Sequence, residues 1–309
     1  MEKLINFKDY SKKFKKKVIG PFNFSIEKNK ITALLGSSGS GKTVILNSLL
    51  GIIKKFNGSI DIENFNRKTR KYFIINSKIG YYTQMDFSLY TVSAYDFLLD
   101  ICIMMGINKK ESFKRIEHWM KYFDIWEDKD KKINNYSWGM KNRINLILCF
   151  IKEPEIIIMD EPGANLDSYW RKKIKDLLIK YKKEGRTIII TVHNIDEINE
   201  VIDNYLIIDS GKLIFSGSKE ELDLYNKYKV YLNEKFDIIE FKKFLDSKNI
   251  KSFKYDEEEI SIVFATKDLK EINWIFIYFI SKSIPILNLI KLPINMEAVH
   301  KALDSKIIT

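Results

Sequence analysis

Residues Gly36-Ser37-Ser38-Gly39-Ser40-Gly41-Lys42-Thr43 gather glycines, a lysine and hydroxyls in one short run of the pattern GxxxxGK[ST]. Glycines at these positions let backbone N–H groups turn inward and approach anionic oxygens without Cβ clashes. Lys42 adds a charge suited to β- and γ-phosphates, and Thr43 a hydroxyl suited to Mg²⁺. A second group, Asp160-Glu161, ends the apolar run Ile156-Ile157-Ile158-Met159. Carboxylates at the C-terminal end of a buried strand sit where α/β sheets hold ligands. Asp160 suits a metal role through water, and Glu161 suits orienting or deprotonating an attacking water. A glycine-rich turn or an acidic pair has a bland structural reading when met alone. Together they point to nucleotide chemistry.

These groups need elements to hold them. Ile31 to Leu35 reads as a buried strand leading into the loop, and Val44 to Ile53 as a helix leaving it, with its positive N-terminal end toward the anion. Before them, two strand-like runs flank the lysines Lys12 to Lys17, and Pro21 with Phe22, Phe24 and Ile26 suggests an edge strand. Residues 87–135 have helical spacing, and further helices are expected over 140–152, 170–183 and 195–202. Strands are expected over 156–159 and 187–192, with a hairpin near 205–215 around Ser210-Gly211. Alternating strands and helices with short connections predict a parallel α/β sheet. From about residue 226 the order reads strand, helix, strand, strand, helix, strand, the split βαββαβ arrangement of ferredoxin-like domains. The expected organisation is therefore a domain over 1–225, with a helical subdomain over about 87–150, and a small accessory α/β domain over 226–309.

The chain has 309 residues, 45% hydrophobic and 30% charged, enough apolar material for real cores and too much for a disordered tail. Cys102 and Cys149 cannot build a disulfide framework or a four-ligand zinc site, which suits a reducing compartment. The first seventeen residues turn basic rather than apolar, so no signal peptide is expected. The apolar run 272–294 is interrupted by Lys282, Pro285, Asn288 and Pro293, and no membrane span is expected there. The net charge of +11 first suggests an anionic partner. Only six basic residues are Arg, however, whereas base and bidentate phosphate recognition favours Arg. The Lys, Ile and Asn abundance reads as compositional drift, and no nucleic acid partner is expected.

Between the two chemical groups lies Tyr136-Ser137-Trp138-Gly139-Met140-Lys141-Asn142-Arg143, which resembles the signature LSGGQ, or its variant YSxGMKQR, of the ATP-binding cassette (ABC) ATPases. Tyr82-Thr83-Gln84 fits that family's Q-loop, Ala164-Asn165-Leu166-Asp167 its D-loop, and Thr191-Val192-His193 its histidine switch. All five motifs occur in the family's order over residues 1 to about 225. The resemblance implies a P-loop ABC fold and ATP with Mg²⁺ as cofactors. It implies a sandwich in which the nucleotide on residues 36–43 of one subunit meets Ser137 and Gly139 of another. Gln84 would touch Mg²⁺ and the attacking water together with Thr43 and Asp160, His193 would bond the γ-phosphate, Asp167 would lie in the D-loop, and Phe14 would stack on adenine. Partners would be transmembrane permease subunits and a second ATP-binding subunit, identical or not, at the cytoplasmic face of the membrane.

Trp138 departs from the pattern, standing where LSGGQ has its first glycine. Either the signature is degenerate, giving a non-transport or weakly hydrolysing ABC-type regulatory ATPase that acts as a nucleotide-gated clamp, or the position tolerates bulk. The YSxGMKQR form is similar to that of bacitracin-resistance-type exporter subunits, and Met296-Glu297-Ala298-Val299-His300 resembles a diverged LEdvF end of their appendage. That subgroup implies export of a drug, peptide or lipid. Lys42→Ala should abolish most nucleotide affinity in a fluorescent-nucleotide titration; retained micromolar binding would contradict the assignment of residues 36–43.

Overall fold

In the computed structural model, the described residues are 2–15, 17–63, 65–69, 72–163, 166–192, 200–222, 226–248, 250, 253–266, 269–292 and 299. The chain divides into two compact units, one ending at Lys219 and one running on from Glu220. The sequence-based boundary at 225/226 falls six residues later.

The first unit opens with β1 (Lys3–Lys13) and β2 (Val18–Glu27), paired antiparallel, with Phe7 opposite Phe24 and Tyr10 opposite Phe22. β3 (Ile31–Leu35) leads into the glycine-rich loop and α1 (Lys42–Leu49). β4 (Asn57–Ile62) and the short β5 (Phe65–Asn66) complete a four-stranded sheet in the order β2-β1-β4-β5, so the strand holding Pro21 lies at an edge. Then come α2 (Tyr72–Lys78), β6 (Ile79–Tyr82), α3 (Ala94–Met104), α4 (Lys109–Tyr122) and α5 (Trp138–Phe150). β7 (Ile156–Asp160), α6 (Ser168–Lys183), β8 (Thr187–Thr191), β9 (Asn204–Asp209) and β10 (Lys212–Ser218) finish it.

A six-stranded sheet in the order β10-β9-β3-β8-β7-β6 carries the chemistry. Its β9–β3–β8–β7–β6 pairs are parallel and its β10–β9 edge is antiparallel. β3, β7 and β8 are apolar and buried along nearly their whole length, as expected of parallel strands covered on both faces. One core cluster joins Phe7, Tyr10 and Ile60 of the antiparallel sheet, Ile45, Leu46 and Leu49 of α1, and Leu34, Ile158 and Ile189 of the parallel sheet. The Tyr10 phenol, fully buried, shares a 2.6 Å hydrogen bond with Ser48 Oγ on α1. The C-terminal end of α1 is thus tied to the antiparallel sheet.

The helical segment predicted over 87–135 is α3 and α4 with two short 3₁₀ turns. Ser93 and Asn108 start the helices by accepting 3.0 Å bonds from the Asp96 and Glu111 amides. The helix predicted over 140–152 begins two residues earlier, and that over 195–202 lies outside the described residues except at its end. The antiparallel strand β4, helix α2 and strand β6 were not foreseen from sequence.

The second unit contains α7 (Lys219–Leu222) at its border, then β11 (Asn226–Leu232), α8 (Ile238–Ser247), β12 (Phe253–Asp256), β13 (Ser261–Thr266), α9 (Leu269–Ser281) and β14 (Ile286–Leu292). Its sheet runs β12-β13-β11-β14, all antiparallel, around Val230, Phe241, Phe264, Ile275 and Phe279. No helix among the described residues is long and apolar enough to cross a membrane. Ile158→Ala, which empties a fully buried site between the sheets, should cost about 2–5 kcal/mol in urea denaturation; an unchanged midpoint would contradict this core.

Candidate active site

Strand order explains how distant motifs meet. β3, β8, β7 and β6 are consecutive neighbours, and all point the same way. Gly36, Thr191, Asp160 and Gln84, at or just past their C-terminal ends, therefore leave one edge of one sheet. This is the crevice where open α/β sheets hold ligands.

The loop is shaped by close approach. A Cβ on Gly36 would collide with the Ile208 carbonyl and come within 2.5 Å of Ser40 Oγ, and one on Gly41 would lie 2.8 Å from Ile19. Gly39 and Gly41 hold φ of +74° and +120°, a region that disfavours side chains. Ser37 and Ser38 are exposed, while Ser40 is buried with its hydroxyl unpartnered among the described residues. Lys42 is 6% exposed, and its Nζ donates to the Gly36 carbonyl at 2.7 Å and to the Ser37 carbonyl at 3.2 Å. Burial pushes this ammonium's pKa down, opposed by the charges of Glu161 and Asp160. Lys42 thus lies within electrostatic reach of both carboxylates. Thr43 lies exposed at the first turn of α1.

Asp160 and Thr191 are directly paired in the β7–β8 ladder. The Thr191 hydroxyl donates to Asp160 Oδ1 at 2.6 Å and accepts from the Glu161 amide at 2.9 Å. Glu161 has φ of +53°, a conformation unusual for a non-glycine residue. The hydroxyl clip holds that backbone turn through the Glu161 amide. Sequence reasoning named Thr191 only as part of a motif and missed this role. The pairing of two strand ends in register could not be read from the residues alone.

Phe14 is exposed at the β1–β2 turn, with the Lys12 ammonium 5.6 Å from its ring centroid. Lys17 in the same turn donates to the Gly39 carbonyl at 2.6 Å, tying that turn to the loop. Gln84 opens on a groove of about 250 Å³ with Met85 and Asp86, facing Trp138, Lys141 and Asn145 of α5. The Tyr82 hydroxyl donates to Asn142 Oδ1, joining β6 to that helix.

Ser137 and Asp167 have local work of their own. Each caps a helix, accepting from the Met140 amide at 3.3 Å and the Trp170 amide at 3.0 Å. Among the described residues, no hydrogen bond joins Ser137 or Gly139 to residues 36–43 of the same chain. Arg143 bonds the Phe123 carbonyl at 3.0 Å and the Gly139 carbonyl at 3.3 Å, with its guanidinium 4.7 Å from the Trp170 ring centre. It locks the starts of α5 and α6 together. His193 and, from the D-loop, Ala164 and Asn165 lie outside the described residues.

Residues 19–164 match the family model of the ABC transporter. The chain is 30% identical over 218 residues to an ABC transporter ATP-binding protein of Methanocaldococcus jannaschii, covering 71% of this chain and 78% of that one. This chain belongs to the ABC transporter ATP-binding family. It is 31% identical over 211 residues to the linearmycin resistance ATP-binding protein LnrL of Bacillus subtilis, with 67% of each chain covered. The solved structure of cbiO1 of Clostridium perfringens, part of the ABC transporter complex cbiONQ, superposes with a TM-score of 0.62 at 28% identity, covering 72% of this chain and 91% of that one. The fold is the P-loop ABC ATPase fold, and the chain is an ATP-binding, ATP-hydrolysing ABC transporter subunit.

Thr191→Val removes the clip while keeping the β-branched shape. ATP turnover should fall about tenfold with nucleotide affinity nearly unchanged, and Thr191→Ser should restore it. Unaltered turnover in Thr191→Val would show that the hydroxyl does not position Glu161.

Proposed function

We propose that this chain powers a multi-subunit exporter of the bacitracin-resistance type, acting as one of two ATP-binding subunits, identical or not, docked on separate transmembrane permease subunits at the cytoplasmic face of the membrane. The observation that carries the reading is the convergence of Lys42, Asp160, Glu161 and Gln84 on one sheet edge, with Gln84 also opening on a surface groove. The likeness to a linearmycin resistance subunit supports outward transport of a drug, peptide or lipid.

Residues 36–43 cradle the phosphates, with backbone N–H groups of the loop and the positive end of α1 toward the charge. Lys42 exchanges its loop carbonyls for β- and γ-oxygens. Phe14 stacks on adenine. The hydroxyl of Thr43, the amide oxygen of Gln84 and the carboxylate of Asp160 are hard oxygen donors that fit Mg²⁺, which keeps most of its remaining ligands as water and phosphate. Mg²⁺ bound there supplies positive charge against the developing negative charge of phosphoryl transfer. Glu161 orients the attacking water and accepts its proton, and His193 bonds the γ-phosphate. Ser137 and Gly139 of the second subunit close over the nucleotide, with Asp167 at the same seam.

Trp138 is half exposed and lines the Gln84 groove, so its bulk has room at this position. This favours a tolerant signature over a spoiled one. The groove is then the seat of a permease segment, whose movement is linked to Gln84 on one wall and to the signature helix on the other. Co-expression with the membrane proteins of neighbouring reading frames should yield a co-purifying complex. Met85→Glu in the groove should abolish that co-purification with ATP affinity retained; no membrane protein retained by the unaltered chain would contradict the transporter assignment.

A further inference from the structure

A second cavity, of about 380 Å³, opens in the first unit between α4 and the C-terminal end of α6. Its lining comes from separate parts of the chain. Lys114, Arg115 and His118 project from α4, Lys180 and Tyr181 from α6, and Arg186 from the turn that enters β8. Glu153, just ahead of β7, and Glu184 are the acidic residues among them, so cations outnumber carboxylates. The cavity lies at the N-terminal ends of β7 and β8, a strand's length, roughly 15 Å, from Asp160 and Thr191 at their other ends. None of the nucleotide-binding residues takes part in it.

The two guanidinium groups are held in advance, while Lys180 lies 4.0 Å from Glu184. Arg115 donates from Nε to Glu111 Oε1 at 2.7 Å, from Nη1 to the Ile151 carbonyl at 3.1 Å, and reaches Glu153 Oε2 from Nη2 at 3.2 Å. Arg186 donates from Nη1 to the carbonyls of Glu153 and Pro154, both at 2.9 Å. Those two bonds use one corner of a five-donor fork, leaving its other edge for the cavity it lines. Both guanidinium groups are therefore anchored to the segment 151–154. A bound anion would not have to order them, which lowers the cost of binding.

The wall is rigid as well. Trp119 stacks on Phe150 with ring centres 5.4 Å apart, and Phe150 on Tyr181 at 5.3 Å. Burial, and with it the charge of Glu184, raises the Tyr181 phenol's pKa above its ordinary value. A solvated run of surface charge would show none of this. It would lie on one element, without a cavity, an aromatic wall or backbone-anchored arginines. The volume is within the range of small-molecule pockets, and guanidinium with ammonium groups on a partly apolar base suit phosphate oxygens. Glu153 and Glu184 disfavour an extended polyanion and leave room for a compact one.

We propose that this cavity is a second anion site, which binds a compact phosphate-bearing ligand, either a free phosphorylated molecule or a lipid headgroup, between the helical subdomain and the sheet. Such a ligand would join α4 to the segments entering β7 and β8, the strands that carry the catalytic carboxylates.

The test uses the full-length chain carrying Lys42→Ala, which removes the competing phosphate loop. Pyrophosphate in calorimetry and phosphatidylglycerol vesicles in flotation probe the two sources. One saturable pyrophosphate site, or vesicle binding, is expected, weakened about tenfold or more by Lys114→Gln with Lys180→Gln. Pyrophosphate binding identifies a free ligand, and vesicle binding alone identifies a headgroup; each supports the site. Both lysines are solvent-exposed, so the double variant should keep its urea midpoint, and Arg186→Gln serves as a second variant. Absence of binding to either probe, or affinity unchanged in both variants, would overturn the proposal.

Discussion

The hydroxyl of Thr191 is the point on which the geometry of the acidic pair depends. It lies at the end of β8, in register with Asp160 on β7, and touches both members of the acidic pair. Asp160 is held along the strand direction, while the Glu161 backbone turns into a positive-φ conformation. Two adjacent carboxylates can then do different work, one toward a metal and one toward water. Without a partner, the Glu161 amide would lose a hydrogen bond at a partly buried position, which costs about 1–3 kcal/mol. The clip exists only because the parallel ladder aligns β7 and β8, and that ladder rests on the buried isoleucines of both strands.

The same sheet edge explains the rest of the site. Leu35 pairs with Ile207, which sets Gly36 against the Ile208 carbonyl and leaves no space for a side chain. α1, wedged by Ile45, Leu46 and Leu49 into the core between the sheets, holds the start of the helix and the buried Lys42 opposite the acids. Arg143 then ties the start of the signature helix to α6 through Trp170, and Ser137 and Asp167 cap those two helices.

Much of this was legible in the residues. The loop, the strand ahead of it and the acidic pair are local patterns, and the two-helix segment and the βαββαβ order of the second unit follow from periodicity. The misses have physical causes. β4 begins Asn57-Gly58-Ser59 and reads as a turn; pairing Ile60 with Phe7 and Ile62 with Ile5 makes it a strand. α2 is only seven residues and is held by Arg67, which reaches the Leu49 and Tyr72 carbonyls and the Asn76 amide oxygen. β6 is four residues long and contains Gly80, so its strand character comes from its pairing with β7. The Thr191 clip and the Lys17 tether are likewise contacts between segments far apart in sequence. The net charge, which by itself suggests an anionic partner, includes lysines with structural partners, among them Lys17 and the buried Lys42.

We propose that Glu161 activates water once Lys42 and Asp160 have placed the nucleotide. Steady-state ATP hydrolysis by the unaltered chain and by Glu161→Gln, with ATP affinity measured on both, tests this most directly. The predicted result is a loss of about 100-fold or more in turnover with affinity retained. Turnover in the unaltered chain no higher than in the variant, with normal ATP binding, would contradict it.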